Sequence, residues 1–339
     1  MKIDRTNQSL HLVGVSRSFA LTIPMLPEPL QDFVSNAYLL CRVADTVEDD
    51  PIAPINKKIM WLNSFANFAL QGFFDDFDLL SLHHQAIDLV QGAVEPEKKL
   101  VSDIVSVVER TQSFPTGIKQ ILGRGVGIMS SGMAKSLSGL KIRSRDDVDR
   151  YCYFVAGVVG ELLAALFSEH NHQIDRDRLM ALSVSFGEGL QITNILKDRS
   201  VDATRNVSFL PIATNGEDII MEYLTLCQGH LDDALDFICE IPREEVGIRR
   251  FCLVNILMAS ATLRKLHSLK DCDLLGESIK IKRKQVVNIL LFSKICIKYN
   301  WSSRLLFKFI SRGLPRHRRS VSELYKKVSF WNKDDLALM

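Results

Sequence analysis

The stretch that decides the fold is YLLCRVADTVEDD, residues 38–50. It reads as a helix bound for a core, yet it carries Arg42, Asp45, Glu48, Asp49 and Asp50. Residues three, four and seven apart share a helix face. Tyr38, Arg42, Asp45 and Asp49 form such a series, with Glu48 at its edge, while Leu39, Leu40, Val43, Ala44 and Val47 are apolar. A second stretch, GEGLQITNILKDRSVD (residues 187–202), has the same design. Gln191, Asn194, Asp198 and Asp202 fall on one stripe among Leu190, Ile192, Ile195, Leu196 and Val201.

The plain reading of either stripe is a solvated helix face. The apolar flanks oppose it, because they leave little room for a separate core face. Burying several carboxylates together costs many kcal/mol unless cations neutralise them. Hard divalent cations suit all-oxygen donors, and magnesium favours one or two carboxylates with phosphate oxygens and water. Two facing acidic stripes would thus hold a Mg²⁺–diphosphate cluster inside a bundle. Arg42, Gln191 and Asn194 would donate to the remaining phosphate oxygens.

Helical periodicity runs outward from these two stretches, and strand signals are missing. The pattern predicts helices over 30–49, 56–71, 84–90, 118–135, 145–167, 175–202, 217–241, 244–269, 284–299 and 301–311. Pro27 and Pro29 precede the first of these, and Pro51 and Pro54 stop it. Gly123, Gly125, Gly127 and Gly132 thin the fourth. With no repeat and no Gly/Ser linker, one all-α domain spanning residues 1–339 is the expectation.

The 339 residues are 47% hydrophobic and 24% charged, which suits a large core and not a disordered chain. Seven cysteines, an odd number without a CxxC pair, read as reduced core thiols of a cytoplasmic protein. The polar start MKIDRTNQSLHL is no signal peptide, and Tyr151–Phe167, interrupted by Glu161, is short for a membrane span. The net charge of +2 hides an asymmetry. Residues 278–339 hold 15 Lys/Arg against 3 Asp/Glu, whereas the rest hold 27 against 37. Such a tail seeks phosphates or an anionic surface. Its segment 301–339 mixes Trp301, Leu305 and Phe309 with Arg304, Lys308 and Arg312, which predicts peripheral contact at the inner membrane face. Nothing in it resembles a nucleic-acid motif.

Four motifs carry a family resemblance: SRSFALTIP (16–24), YLLCRVADTVEDD (38–50), YCYFVAGVVGELLAALF (151–167) and LQITNILKDRSVD (190–202). In this order and spacing they resemble the squalene and phytoene synthases, over roughly residues 12 to 300. The resemblance implies an all-α, single-domain isoprenoid-synthase bundle with a central cavity. Asp45, Glu48 and Asp49 match its first metal motif, and Asp198 and Asp202 its second. Ser16, Arg17, Ser18, Arg42, Gln191 and Asn194 match diphosphate-holding positions. Tyr38 and Tyr151 match tyrosines that assist proton transfer or stabilise cations. Phe19, Val155 and Gly157 fall in the expected prenyl tunnel, and Gly160 with them.

Within the family, DTVEDD, FCLVNILMASATL (251–263) and above all SIKIKRKQVVNIL (278–290) resemble the squalene synthases, and the absence of an apolar C-terminal anchor points to the bacterial type. The last segment resembles a lysine-rich stretch that contacts NADPH. Lys280 and Lys282 would meet the cofactor phosphates, with Lys197, Arg17 and Arg42 nearby. The chain departs from the pattern at Lys197 and Lys282, where arginine is usual, at Val201 in place of Glu, and at Lys284 in place of Gly. The implied reaction is head-to-head condensation of two farnesyl diphosphates and NADPH-dependent reduction to squalene, with Mg²⁺, by a monomer. Its rivals are a non-reductive dehydrosqualene- or phytoene-type synthase and a non-catalytic scaffold relative.

Overall fold

Proline brackets set the first long helix. Pro29 stands at its N-cap and Pro51 follows its last turn, so the helix runs Leu30–Asp49, as the spacing predicts. The structure, a computed structural model, describes residues 5–16, 18–74, 76–204, 207–211, 218–269 and 278–333. Among these the chain is all-α. In order the helices are α1 (Arg5–Val15), α2 (Phe19–Thr22), α3 (Leu30–Asp49), α4 (Ile55–Leu70), α5 (Asp76–Leu89), α6 (Glu95–Ser102), α7 (Ile104–Gln112) and α8 (Thr116–Leu137). They continue with α9 (Arg145–Cys152), α10 (Val158–His170), α11 (Arg176–Thr204), α12 (Ile219–Glu240), α13 (Val246–His267), α14 (Arg283–Cys296), α15 (Asn300–Ile310) and α16 (Val321–Val328). A π-helical turn, Tyr153–Gly157, joins α9 to α10.

Two compact units emerge. The first takes Met1–Leu140, Glu161–Asn171 and Phe330–Met339; the second takes Lys141–Gly160 and His172–Ser329. Within the first, α8 lies across α4 where its glycines permit it. A Cβ at Gly123 would sit 2.3 Å from the Ala69 carbonyl oxygen. This is the role that the thinning of the 118–135 helix foreshadows. A buried polar knot ties α1, α3 and α7. Asn36 accepts from Gln8 (2.9 Å) and donates to Thr111 (2.6 Å) and to the Val107 carbonyl (3.2 Å). With its donors and acceptor engaged, the fully buried amide carries little desolvation penalty.

In the second unit, α11 is the spine, packed by α12, α13, α16 and the π-turn. The crossing is close because both surfaces are glycine. A Cβ at Gly160 would lie 2.0 Å from the Ser183 carbonyl oxygen, and one at Gly187 would lie 2.1 Å from that of Ala156. A complete capping box between Ser144 and Asp147 starts α9, and Asp218 caps α12 through the Ile220 and Met221 amides (3.1 Å each). Buried Arg249 on α13 satisfies the end of α12. It donates to the carbonyls of Ile238 (3.2 Å), Ile241 (2.7 Å) and Ile297 (3.2 Å), and to Asn300 (2.7 Å).

The basic tail corrects an expectation. Several of its arginines are not held out for phosphates but spent on the acids of the second unit. Arg319 grips Asp149 with two bonds (2.8 and 2.6 Å), Arg318 spans Asp233 and Asp236, Arg304 meets Asp236 (2.7 Å), and Arg316 approaches Asp232 (3.4 Å). Two helical stretches, Arg145–His170 and Val246–His267, are long and apolar enough to cross a membrane, but 78% of each apolar window is buried in protein. Six cysteines are described, all free; Cys272 lies outside the described residues.

Candidate active site

The first stripe sits on α3 in the first unit. Arg42 reaches Asp45 one turn on, and with its other arm Glu97 on α6. Burial opposes the Arg42 charge, and the two carboxylates more than restore it, so its pKa is raised. The acids feel the opposite balance. Burial and the neighbouring Asp49 push Asp45 up to about 7, even with 28% of its side chain exposed. Burial, Asp45 and Asp49 push Glu48 up to about 8, against Lys58. Lys58 is engaged with the Glu48 carbonyl (2.7 Å), so it anchors the helix end as well as the charge.

Asp50 behaves differently. It accepts from the amides of Ile52 (2.8 Å), Ala53 (2.8 Å) and Gly92 (2.7 Å), which marks it as the organiser of a turn. Those bonds overcome burial and lower its pKa.

Tyr38 lies at the other end of the stripe, one turn before Arg42. Its hydroxyl donates to the Val15 carbonyl (3.3 Å), and its ring meets Phe19 at 5.3 Å. Burial raises its pKa, against a hydrogen bond with Ser16. Ser16 in turn accepts from the Phe19 amide (3.0 Å). Ser16, Phe19, Tyr38, Arg42, Asp45, Glu48 and Asp49 are therefore grouped on and around one helix. Ser18 is exposed beside them, and Arg17 lies outside the described residues.

The second stripe runs along α11 in the second unit. Lys197 folds over it, donating to Asn194 (2.9 Å) and Asp198 (2.5 Å). Gln191, Asp198 and Asp202 are half-buried and Asn194 is exposed. Beside it the Ile279 amide donates to the Lys197 carbonyl (3.1 Å), and the Lys280 carbonyl accepts from Lys265 (2.7 Å). The lysine-rich segment is thereby tied to the end of α11 that carries Lys197, with Lys280 and Lys282 exposed.

Tyr151 stacks on Phe209 at 4.8 Å, just before the π-turn that carries half-buried Val155. Turns of this type widen a helix and cluster at functional sites. The space beside Gly157 and Gly160 is occupied by protein. A Cβ at Gly157 would meet Tyr153 at 3.0 Å and Val184 at 3.5 Å. In the direction of a Cβ, these two glycines serve the crossing with α11.

Three participants carry no local signal. Glu97 is 55 positions from Arg42, Phe209 falls between helices, and Ile279 acts through its backbone. A fourth group is fully buried. Glu188, one turn before Gln191, has both carboxyl oxygens without a hydrogen bond, 3.6 Å from His230 Nε2. Burial, then Asp149, raises Glu188 well above its usual range, and burial lowers His230 to about 4. Burial thus favours the neutral form of each.

As a donor set, the α3 stripe fits a hard cation: its ligands are all oxygen, and its raised carboxyls mark negative charge that Arg42 leaves under-compensated. Among the described residues no three His, Cys, Asp or Glu side chains already converge on one cation position.

Comparison with known proteins bears on these two stripes. A model of squalene/phytoene synthases matches residues 12–218, which include both. The chain belongs to the squalene/phytoene synthase family. It is 28% identical over 305 residues to the squalene synthase of Schizosaccharomyces pombe, covering 82% of this chain and 62% of that protein. It is 27% identical to squalene synthase 1 of Arabidopsis thaliana (74% and 62% covered) and 28% identical to the squalene synthase of Rattus norvegicus (83% and 68%). The chain thus spans somewhat under two-thirds of the yeast and plant relatives. Among solved structures, TcSQS with the ligand BPH1237 superposes with a TM-score of 0.73 at 20% identity, over 95% of this chain and 96% of that one. A dehydrosqualene synthase in complex with ligand gives 0.55 at 19% identity, over 86% and 96%. These likenesses establish the squalene-synthase type of all-α fold.

Proposed function

We propose that this chain condenses two farnesyl diphosphates head to head to presqualene diphosphate and reduces that product to squalene with NADPH. The observation that carries the reading is the α3 stripe. Its carboxyls, raised by burial first and by one another second, sit at about 7 and about 8, beside an arginine, in a chain of this family. We further read residues 1–339 as one prenyl synthase domain, because the segments of its two units alternate along the chain.

Asp45, Glu48 and Asp49 of α3, and Asp198 and Asp202 of α11, would hold Mg²⁺, which when bound supplies Lewis acidity toward a departing diphosphate. Arg42 exchanges part of its pairing with Asp45 and Glu97 for phosphate oxygens, and Asn194 and Gln191 orient the same group. Ser16 and Ser18, with Arg17, hold the second diphosphate. The Tyr38 hydroxyl, kept protonated by burial, passes the proton lost on cyclopropane closure toward the diphosphate. Tyr151 does so from the α9 side, and its stacking on Phe209 fixes its ring. Phe19 and Val155 contribute apolar surface that keeps water from the allylic cation.

Lys197, Lys280 and Lys282 fit a dinucleotide phosphate. The backbone bond from Ile279 to Lys197 gathers them, and neither Lys280 nor Lys282 forms an ion pair among the described residues. The dehydrosqualene synthase likeness keeps a non-reductive variant as the second reading.

Incubation of the purified chain with farnesyl diphosphate and Mg²⁺, with and without NADPH, followed by mass spectrometry of the lipid products, tests both. Squalene is expected only with NADPH. The same product in both tubes removes the reductive step, and no diphosphate release in either removes the synthase reading.

A further inference from the structure

Helices α14 and α15 pack on α13 and on each other, burying Ile289, Ser293 and Phe307. Their outward faces are not polar. Val287, Leu291 and Ile295 recur at four-residue steps on α14, and Trp301, Leu305 and Phe309 do so on α15. All six are exposed; Ile295, Trp301 and Phe309 show 68, 68 and 67% of their surface. At helical spacing the same faces carry Lys284, Lys294, Lys298, Lys308 and Arg312, exposed and without an ion pair among the described residues. These contrast with Arg304, Arg316, Arg318 and Arg319, which are neutralised within the unit.

No Asp or Glu occurs anywhere in residues 278–322. An unpartnered apolar face studded with cations, on a chain whose remainder is acidic, requires an occupant that is apolar inside and anionic outside. A second copy of this chain does not meet that requirement. An isologous contact would set lysine against lysine with no acid on the face to relieve it.

We propose that the outward faces of α14 and α15 form a docking surface for an anionic lipid bilayer. The aliphatic and aromatic side chains enter the headgroup boundary, with Trp301 and Tyr299 at interfacial depth, and the five cations meet lipid phosphates. This moves the membrane contact expected of residues 301–339 to 284–312, since the later arginines are already engaged. The inference stands apart from the catalytic reading, because it concerns adsorption and not turnover.

The full chain is tested by sedimentation with vesicles of phosphatidylcholine containing about 30% phosphatidylglycerol, and with phosphatidylcholine alone. Binding is expected to the anionic vesicles and to weaken with salt. Lys294→Glu with Lys298→Glu should lower the partition coefficient at least about tenfold, as should Trp301→Glu with Leu305→Glu. Ile55→Glu with Met60→Glu, equally exposed but on α4, should leave it unchanged. A readout on the unaltered protein comes from Trp301 itself, since Trp61 and Trp331 are buried at 1 and 7%. Its emission should shift to the blue on the vesicles and be quenched by brominated lipid. The proposal is overturned if the α14–α15 variants bind like the parent, if Trp301 stays unquenched on bound vesicles, or if the parent dimerises through Trp301 and ignores lipid.

Discussion

Replacing Gly160 by alanine tests the crossing on which the second unit is built. The new Cβ would stand 2.0 Å from the Ser183 carbonyl oxygen and 2.8 Å from its carbon, where ordinary contact begins at 3.4 Å. The obstacle is backbone, so no side-chain rotation relieves it, and the start of α10 and α11 must part by more than an ångström. Overpacking of a well-filled site costs about 1–3 kcal/mol, and a backbone clash belongs at the upper end. Alanine returns ~1 kcal/mol of helix propensity over glycine. The net loss is thus about 2 kcal/mol, read as a lower urea midpoint by far-ultraviolet circular dichroism. Gly187→Ala meets the same barrier from the other side, at 2.1 Å from the Ala156 oxygen. One separation of the two segments relieves both clashes, so the double variant should lose less than the sum of the singles. Gly117→Ala on α8, where the Cβ finds Glu169 at 3.4 Å, should be neutral or stabilising by up to ~1 kcal/mol. A Gly160→Ala protein as stable as the parent, or strictly additive singles, would refute the account of the crossing.

Other outcomes follow from buried polar groups. Arg249→Met leaves the carbonyls of Ile238, Ile241 and Ile297 without their donor and should cost about 3 kcal/mol or more in a urea titration. Arg319→Ala strands the fully buried Asp149 with, among the described residues, Lys327 at 3.8 Å as its remaining cation, so a loss of about 3 kcal/mol is expected, smaller for Arg319→Lys. Glu188 titrates above its unfolded value of 4.5 because burial favours the neutral acid, so the stability it contributes is full below 4.5 and lost as pH rises. Glu188→Gln keeps the shape and abolishes that loss. Its advantage over the parent should grow as pH rises above 4.5, by up to ~1.4 kcal/mol per unit, and a pH-independent difference would disprove the buried-acid assignment. His230 works in the other direction. Its folded value of about 4 lies below the unfolded 6.5, so stability falls as pH drops through that window, by ~3 kcal/mol in all. His230→Gln should flatten the acid limb of the stability profile.

What the sequence disclosed and what it hid divide by distance along the chain. Helix α3 was legible to the residue because prolines stand at both ends, and the long apolar patterns of α8, α11, α12 and α13 were legible within a few residues. The expected helix over 84–90 is the second half of α5 (Asp76–Leu89), and α1, α6, α7 and α16 were not read at all. In α6, EPEKKLVS, only Leu100 and Val101 are buried, too few apolar positions in eight residues to define a period. The charge count of the tail was read as a demand for outside anions, yet nothing in a composition shows that Arg319 would find Asp149, 170 positions away.

The site follows the same division, and this explains why its two stripes were readable while their supports were not. Arg42 to Asp45 and Lys197 to Asn194 are i, i+3 contacts within one helix, so spacing alone foretells them. Glu97, which completes the Arg42 pairing, and the Ile279 amide, which draws the lysine segment to Lys197, arrive from elements whose approach only packing decides. The two stripes also manage charge differently. On α11, Lys197 lies directly against Asp198. On α3, Arg42 is shared between Asp45 and Glu97, and Asp45, Glu48 and Asp49 crowd one another. Arg42 is thus outnumbered on its own helix face, and the rise in the Asp45 and Glu48 carboxyls, from burial first and from their acidic neighbours second, suits a face that receives additional positive charge.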